Sequence, residues 1–164
     1  KVYKPDHVVR LTGDCPLTDP QIIDRLIDFH LAGGYDYSSN ALEPSYPDGL
    51  DAEVMKFNVL EQAWRKATTK TEREHVTFYI YNEPTLFKIG VEKNHVDLSY
   101  LRWTVDEPED FSLVETIYQN LYPLNPSFTQ DDILALLHNH PEMITMNTAF
   151  FRNEGLKKSL SWDK

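Results

Sequence analysis

One segment near the start of the sequence, Val8–Leu17, constrains the fold more than any other. An apolar run there ends in Gly13 and Asp14, and a proline then turns the chain away. A buried strand presents a single carboxylate in this way at its C-terminal end, the edge where open α/β sheets bind ligands. A second run, Leu101–Asp106, also ends in an aspartate, and Pro108 after it opens a helix. The sequence therefore predicts two strand ends that each carry one aspartate.

Asp14 and Asp106 are the first candidate site residues. Lone carboxylates at strand ends are the ligands that a phosphate-bound Mg²⁺ requires, provided that the two ends meet. We therefore expect both side chains to bind one metal ion. Two other interpretations stay open: Asp14 is an ordinary turn residue, and Asp106 is a helix-entry residue stabilised by the helix dipole.

Strand patterns alternate with helix patterns along the sequence, which predicts the α/β class, with some strands antiparallel because their connections are short. Within 50–57 the apolar residues alternate with acids, so Asp51 and Glu53 are expected on one face of a half-exposed strand. Capping-box patterns place helix starts at Asn58 and Thr71. The expected strands are 7–12, 35–37, 50–57, 87–92 and 101–106. The first expected helix begins at Thr18 or Asp19 and ends at Gly33-Gly34. The other expected helices cover 59–67, 72–82, 108–121 and 129–140, and a short amphipathic helix is expected at 156–160.

Composition narrows the class and the compartment. The chain has 164 residues, of which 41% are hydrophobic, and we expect a single domain over 1–164. A net charge of −10 without a basic stripe argues against nucleic acid as a partner. No apolar run approaches the roughly 20 residues that cross a bilayer, and no signal-peptide pattern is present. The single Cys15 suits a reducing compartment, so a cytoplasmic location without membrane association is expected.

Several motifs carry a resemblance to a known family. The run 9–17, with Asp19 and Pro20 after it, resembles the spore coat polysaccharide biosynthesis protein F group of sugar cytidylyltransferases, relatives of the CMP-sialate and CMP-KDO synthetases. Four further stretches resemble the same group and follow in the same order: 45–54, 73–77, 101–106 and 108–110. Five ordered matches within 8–110 make the resemblance specific.

The resemblance implies a nucleotide-diphospho-sugar transferase fold, which is Rossmann-like with a mixed sheet. It implies that a hydroxyl of an acidic, nonulosonic-type sugar attacks the α-phosphate of CTP, giving pyrophosphate and a CMP-sugar for surface polysaccharide. The family's metal-binding aspartates correspond to Asp14 and Asp106, so Mg²⁺ is the expected cofactor. A homodimer is also expected, through an aromatic segment that is otherwise ordinary core: Phe78, Tyr79, Tyr81 and Phe87.

Arg102 and His75 are two further candidates, each with an open alternative. Arg102 is predicted to be catalytic by pairing with the sugar carboxylate, or else it forms a structural bridge with Asp97 or Glu92. The resemblance places His75 near the sugar. The alternative is a helix histidine that is bonded to a neighbouring side chain.

Three acids and one thiol complete the candidate list. Asp48, Asp51 and Glu53 are predicted to bind substrate, and the alternative is a turn residue followed by a solvated strand face. Cys15 is interpreted as a small buried residue rather than a nucleophile, because the adjacent carboxylate raises the pKa of a thiol.

The sequence departs from the family pattern in one respect. It contains no glycine-rich phosphate loop, since Gly33-Gly34 follows a helix rather than a strand. It also begins at Lys1, in a stretch typical of an αβ connection. We therefore expect the C-terminal two-thirds of such an enzyme, without its nucleotide-binding strands and inactive with CTP alone. The alternatives are a non-catalytic remnant or interaction domain, and another metal-dependent transferase on the same fold.

Overall fold

A computed structural model describes residues 3, 5–150, 152 and 154–162. The described chain forms a four-stranded mixed sheet with helices, which confirms the α/β class. The strands are β1 (His7–Arg10), β2 (Tyr37–Ser39), β3 (Glu53–Lys56) and β4 (Ile89–Val91). Their order is β1-β3-β2-β4, with β3 antiparallel to both of its neighbours and β4 parallel to β2.

Seven α-helices and one 3₁₀ segment complete the described part of the chain. They are α1 (Pro20–Gly33), α2 (Phe57–Lys66), α3 (Lys70–Glu74), α4 (Phe78–Tyr81), α5 (Pro108–Leu121), α6 (Gln130–Asn139), the 3₁₀ segment Pro141–Thr145, and α7 (Glu154–Ser159). Helix α5 begins where the sequence predicts, and α6 begins one residue later than predicted, with Thr129 as its N-cap. Among the described residues no helix has both the length and the apolar character to cross a membrane.

Helix α1 is fixed by a side-chain cap that also joins two helices. Asp19 is the N-cap, and one of its oxygens accepts the backbone N–H of Gln21 at 2.8 Å. The other oxygen accepts the N–H of Gln130 at the start of α6, also at 2.8 Å. Of the two predicted caps, the structure has Asp19 rather than Thr18.

The predicted strand over 101–106 is wrong. Only Arg102 forms an isolated bridge there, with Asp48. The backbone of this segment bonds to two different loops, since the Trp103 N–H donates to Asp48 O at 2.6 Å and the Val105 N–H donates to Asp14 O at 2.9 Å. A segment divided between two loops cannot form a continuous ladder with one strand, so it lies outside the sheet.

The predicted helix over 72–82 is divided into α3 and α4. Thr69, rather than Thr71, caps α3 in a reciprocal capping box with Glu72. Thr71 is fully buried and donates its hydroxyl to Ser159 O at 2.9 Å. The prediction of a cap at Asn58 is also wrong. The N-cap of α2 is Lys56, and the helix begins at Phe57, two residues before the predicted start at 59.

The sheet is covered on both faces. Strand β3 places Val54 in a cluster with Leu26 of α1, and places Met55 in a second cluster with Val59 of α2. Glu53, in the same strand, is also buried, with 8% of its surface exposed. The predicted half-exposed strand over 50–57 is therefore shorter than expected and buried on both sides.

A separate, larger apolar cluster fills the space between α1, α5 and α6. It includes Trp103, which is almost fully buried, and it receives Leu50 from the loop before β3. The aromatic segment that suggested a homodimer lies within the chain's own core: Phe87 is buried, and Tyr79 and Tyr81 pack against the same cluster. These side chains favour the core interpretation, and the homodimer stays a prediction.

Candidate active site

The residues predicted from the sequence line one cleft of about 780 Å³. Its walls come from the end of β1, the loop before β3, the segment after α3, the segment 102–107 and the C-terminal segment. All seven candidates contribute to it: Asp14, Asp48, Asp51, Glu53, His75, Arg102 and Asp106. Their convergence is a finding of the structure, and their roles stay predictions.

Asp14 reaches the cleft from the turn that follows β1. Its carbonyl oxygen accepts the Val105 N–H at 2.9 Å and the Thr104 hydroxyl at 3.2 Å, which ties this turn to the segment before Asp106. The contact of its carboxylate is a weak one from the Cys15 thiol at 3.5 Å. Among the described residues no cation pairs with Asp14, so its carboxylate faces the cleft free for a ligand.

Arg102 is the centre of a carboxylate cluster. Its Nε and Nη2 donate to both oxygens of Asp110 at 2.9 and 2.7 Å, Nη2 donates to Asp106 at 2.8 Å, and Nη1 donates to Asp48 at 3.2 Å. The predicted structural partners Asp97 and Glu92 are therefore wrong. Most of the guanidinium donors are used by the protein's own aspartates, which favours a role in orienting Asp48 and Asp106.

Asp110 is a site residue that the sequence reasoning missed. Its side chain is fully buried, and one oxygen also accepts the backbone N–H groups of Asp106 and Glu107, each at 3.1 Å. Asn147 donates to the other oxygen at 2.8 Å. Burial acts to raise the pKa of Asp110, but the hydrogen bonds outweigh burial and leave the pKa below its ordinary value. Its place at the third position of α5 was the available signal.

Asp48 is held by tight contacts with the segment across the cleft. Gly49 next to it has φ +106°, and a Cβ there would lie 2.5 Å from the carbonyl carbon of Trp103. Glycine thus permits the close approach that lets the Asp48 N–H donate to Leu101 O at 2.9 Å. Burial raises the pKa of Asp48, although two arginines counteract this increase.

Arg152 is a second residue that the sequence reasoning missed. It pairs with Asp51 and approaches Asp48 to 3.5 Å. Burial raises the pKa of Asp51 to about 6, despite the opposing effect of Arg152. No local pattern signals this pairing, because 101 positions separate the two partners.

Glu53 is fully engaged by neighbouring side chains. One oxygen accepts the hydroxyls of Tyr37 at 2.5 Å and Thr77 at 2.6 Å, and the other pairs with Arg10. Burial and the Glu53 charge raise the pKa of Tyr37 well above its ordinary value, so that hydroxyl remains a donor. These contacts describe a structural part of the cleft wall rather than an available ligand.

His75 and Cys15 also line the cleft. The ring Nε2 of His75 lies 2.9 Å from the Ser159 hydroxyl, so the predicted neighbour bond exists, but its partner belongs to α7. His75 follows the end of α3 rather than lying one turn inside a helix.

Burial raises the pKa of Cys15 to about 12, which keeps the thiol protonated and agrees with a buried, unreactive residue.

The carboxylates that line the cleft are suited to a hard metal ion that is also bound by substrate phosphates. No group of three or more metal-ligating side chains occurs among the described residues. Magnesium is commonly held by one or two carboxylates, with waters and substrate phosphates completing its shell. Asp14 and Asp106 both face the cleft, and Arg102 takes only one oxygen of Asp106. The two aspartates therefore fit Mg²⁺ as a partial ligand set.

A mixed α/β sheet with an acidic cleft beside its strand ends defines the class of α/β proteins that bind a ligand at the edge of the sheet. Comparison with known families narrows this class. The model of the family described as "Cytidylyltransferase" matches residues 1–132. The chain belongs to the cytidylyltransferase family.

Individual relatives agree with this assignment. An uncharacterized protein of Methanocaldococcus jannaschii is 35% identical over 150 residues, covering 90% of this chain and 60% of the relative. The spore coat polysaccharide biosynthesis protein SpsF of Bacillus subtilis is 32% identical over 154 residues, covering 91% and 62%. A solved cytidylyltransferase from Leptospira borgpetersenii is 29% identical, with a TM-score of 0.81, covering 90% of this chain and 61% of that one.

These relatives also bear on the extent of the chain. The chain spans about three-fifths of the length of the curated relatives it matches. The expectation that it is the C-terminal two-thirds of such an enzyme is not borne out by the comparisons. The predicted nucleotidyltransferase-like fold is confirmed by the Leptospira structure.

Proposed function

We propose that the cleft is the metal- and sugar-binding part of a cytidylyltransferase active site. In the proposed reaction a hydroxyl oxygen of an acidic sugar forms a bond to the α-phosphorus of CTP and releases its proton to solvent water, and pyrophosphate leaves with the electrons of the broken P–O bond. The observation that carries this proposal is that Asp14, which has no cationic partner among the described residues, lines the same acidic cleft as Asp106, while its carbonyl oxygen accepts the Val105 N–H next to Asp106. Family membership supports the same reaction class.

The residues of this chain contribute positioning and charge rather than proton chemistry. Asp14 and Asp106 would hold Mg²⁺, which when bound neutralises the phosphates and favours an in-line geometry. Arg102 orients Asp106 and Asp48 through the ion pairs described above. We assign the sugar to the side of the cleft that Asp48 and Asp51 line, where their carboxylates would accept hydrogen bonds from sugar hydroxyl groups; this is the sugar side of the cleft.

We further infer that the product is a CMP-activated sugar acid of the nonulosonic type, used for surface polysaccharide. The support is the resemblance noted above and the similarity to SpsF, whose name refers to spore coat polysaccharide biosynthesis. The homodimer is part of the same proposal. Sedimentation velocity of the purified chain tests it, and a monomer at micromolar concentration would contradict it.

The nucleotide is expected to bind weakly to these 164 residues by themselves. They contain no glycine-rich loop, and two of the cations that line the cleft, Arg10 and Arg102, are paired with carboxylates. The triphosphate therefore meets an acidic cleft and depends on a metal ion to overcome repulsion. We propose low CTP affinity and little turnover for the isolated chain.

Calorimetric titration of the chain with a sugar acid tests the proposed function. N-acetylneuraminate is the probe, and Mg²⁺ is present throughout. We expect the acid to bind and the Asp51→Asn variant to weaken binding about tenfold, as for a lost charge-assisted hydrogen bond. Asp131→Asn, at an exposed position of α6, is the matched control and should bind like the wild type.

The outcomes separate the parts of the proposal. No binding of the sugar acid to the wild type contradicts the sugar site and favours a non-catalytic interaction domain. Pyrophosphate release from CTP by the chain alone supports the reaction but contradicts the inference of weak nucleotide binding. Equal binding by wild type and Asp51→Asn shows that the acid binds elsewhere.

A further inference from the structure

We propose that Arg152 is a positioning residue of the site, which holds Asp48 and Asp51 in place for the sugar; this inference rests on the proposed function. Its Nη2 forms an ion pair with Asp51, and its Nε lies 3.5 Å from Asp48. Its Nη1 donates to the carbonyl oxygen of Tyr46 at 3.2 Å. One guanidinium thus contacts both acids and the loop that carries Asp48.

The contacts of Arg152 continue into the contacts of Arg102. One oxygen of Asp48 lies 3.5 Å from Arg152 Nε, which is an ion-pair contact without a hydrogen bond. The other oxygen accepts a hydrogen bond from Arg102, which also donates to Asp106. A line of alternating charges therefore crosses the cleft from Asp51 to Asp106. This line connects the sugar side with one of the two proposed metal ligands, so a displacement of Arg152 is transmitted to both sides.

Burial distinguishes this pair of acids from ordinary surface ion pairs. The side chains of Arg152 and Asp48 are each 13% exposed and that of Asp51 is 30% exposed, whereas fully exposed pairs contribute little because water screens them. The charged groups that face Asp51 are Arg152, Asp48 and Glu53. Without Arg152, Asp51 faces two like charges in a desolvated place and is driven toward its neutral form.

The segment that carries Arg152 is anchored on both sides of that residue. Asn147 donates its side-chain N–H groups to Arg102 O at 2.9 Å and to Asp110 at 2.8 Å. Ser159 bonds His75 through its hydroxyl at 2.9 Å. The segment lies outside residues 1–132, which match the family model, yet Phe150 and other residues of it line the cleft. The site is therefore completed by a part of the chain that the family pattern does not describe.

The first test follows the titration of Asp51 by ¹³C NMR of its carboxyl carbon. Arg152→Met should move the midpoint of Asp51 upward by about one pH unit or more, because an opposite charge at contact distance is removed. Arg152→Lys keeps the charge and should restore a midpoint near that of the wild type. Arg65→Met is the matched control, since Arg65 pairs with Glu61 on the exposed surface of α2, and it should leave the midpoint unchanged.

The second test measures the dissociation constant of N-acetylneuraminate for the same variants. We expect Arg152→Met to weaken binding about tenfold or more, with Arg152→Lys intermediate and Arg65→Met like the wild type. An unchanged midpoint in Arg152→Met overturns the proposal. A shifted midpoint with an unchanged dissociation constant also overturns it, because Arg152 would then act on Asp51 without serving the sugar.

Two further results keep the tests decisive. If the wild type binds no sugar acid, the proposed function fails and the sugar role of Arg152 fails with it, whereas the midpoint still decides whether Arg152 controls Asp51. If Arg152→Met does not fold, ¹⁵N NMR of the wild-type guanidinium replaces it. Slow exchange of the Arg152 Nη protons supports the held geometry, and free rotation of the group contradicts it.

Discussion

The turn after β1 and the turn that opens α5 look alike in sequence but differ in structure. Each is an apolar run that ends in an aspartate and is followed by a proline. In the first turn the Asp14 carboxylate has no cationic partner among the described residues. In the second, Arg102, Asp110 and two backbone N–H groups form a buried network. The difference separates a carboxylate available to a ligand from carboxylates that the fold itself uses.

The comparison also distinguishes two aspartates of the second turn. Asp106 is 51% exposed and keeps one oxygen free of Arg102, whereas Asp110 is fully buried. Asp110 fixes Arg102, and Arg102 fixes Asp106. We infer that Asp110 stabilises the fold and that Asp14 is available to bind a ligand. Asp106 does both, because one of its oxygens pairs with Arg102 and the other does not.

The largest expected effect is the loss of the buried charge at Asp110. Asp110→Asn leaves Arg102 without its bidentate partner, and we expect the free energy of unfolding to fall by about 3–5 kcal/mol, as for one partner of a buried ion pair. Urea denaturation measures this loss. The control is Glu109→Gln, at the exposed preceding position, which should stay within about 0.5 kcal/mol of the wild type. Equal losses for both variants would show that the buried charge of Asp110 is not what stabilises this turn.

A smaller effect is expected at the contact between the loop of Asp48 and the segment of Arg102. Gly49→Ala introduces a Cβ within 2.5 Å of the Trp103 backbone at a positive φ. We expect a loss of about 1–3 kcal/mol in unfolding free energy. Gly13→Ala is the control, because a Cβ there meets nothing within 4 Å. A Gly49→Ala protein as stable as the control would show that this contact is not tight.

The pH dependence of stability should differ in sign for Asp51 and Asp110. Burial raises the folded-state pKa of Asp51 to about 6, above its unfolded value, so its contribution becomes more favourable as pH falls from about 7 to 4. We expect a gain of about 1–2 kcal/mol over this range relative to Asp51→Asn, reduced from the full linkage value by partial exposure.

The lowered pKa of Asp110 has the opposite consequence. Its stabilisation is present above the unfolded pKa and is lost as pH falls through the folded value, in the acid range below about 4. Unfolding free energies of wild type, Asp51→Asn and Asp110→Asn across pH 3–8 measure both signs. If the unfolding free energies of the wild type and of Asp51→Asn changed with pH in the same way, the raised pKa of Asp51 would be contradicted.

Elements with local signals were predictable from the sequence. Helix α5 spans Pro108–Leu121 as expected, because proline at its first position and a reciprocal cap with Asp110 fix its start. The segment 101–106 was not predictable, since its hydrogen bonds go to loops that are distant in sequence. Its apolar pattern reflects burial of Leu101 and Trp103 in the core rather than membership of the sheet.

The candidate site divides in the same way. Residue type and position at a strand end identify Asp14 without knowledge of the fold. The Arg102–Asp48 and Arg152–Asp51 ion pairs join residues that are 54 and 101 positions apart, so these two pairs have no local signal. The pairs of Arg102 with Asp106 and Asp110 span only 4 and 8 positions. Sequence reasoning therefore found seven residues that line the cleft, but not which of their side chains form ion pairs within the protein.

The smallest expected change in stability is at Asp14, and it accompanies the most direct test of the account. Asp14→Asn removes an exposed carboxylate that no cation pairs with in the described part of the chain, so the unfolding free energy should change by less than about 0.5 kcal/mol. Mn²⁺ is a suitable paramagnetic probe, because it shares the oxygen ligands of Mg²⁺. Its effect is measured as broadening of backbone amide resonances in the wild type and in Asp14→Asn, with Asp131→Asn as control.

The account predicts that Mn²⁺ broadens the resonances of residues 13–15 and 105–107 in the wild type and in Asp131→Asn, and that excess Mg²⁺ restores them. In Asp14→Asn this broadening should be lost although the protein stays folded. Broadening that persists unchanged in Asp14→Asn, or that occurs away from both turns, would contradict the claim that Asp14 and Asp106 form the metal-binding part of the site.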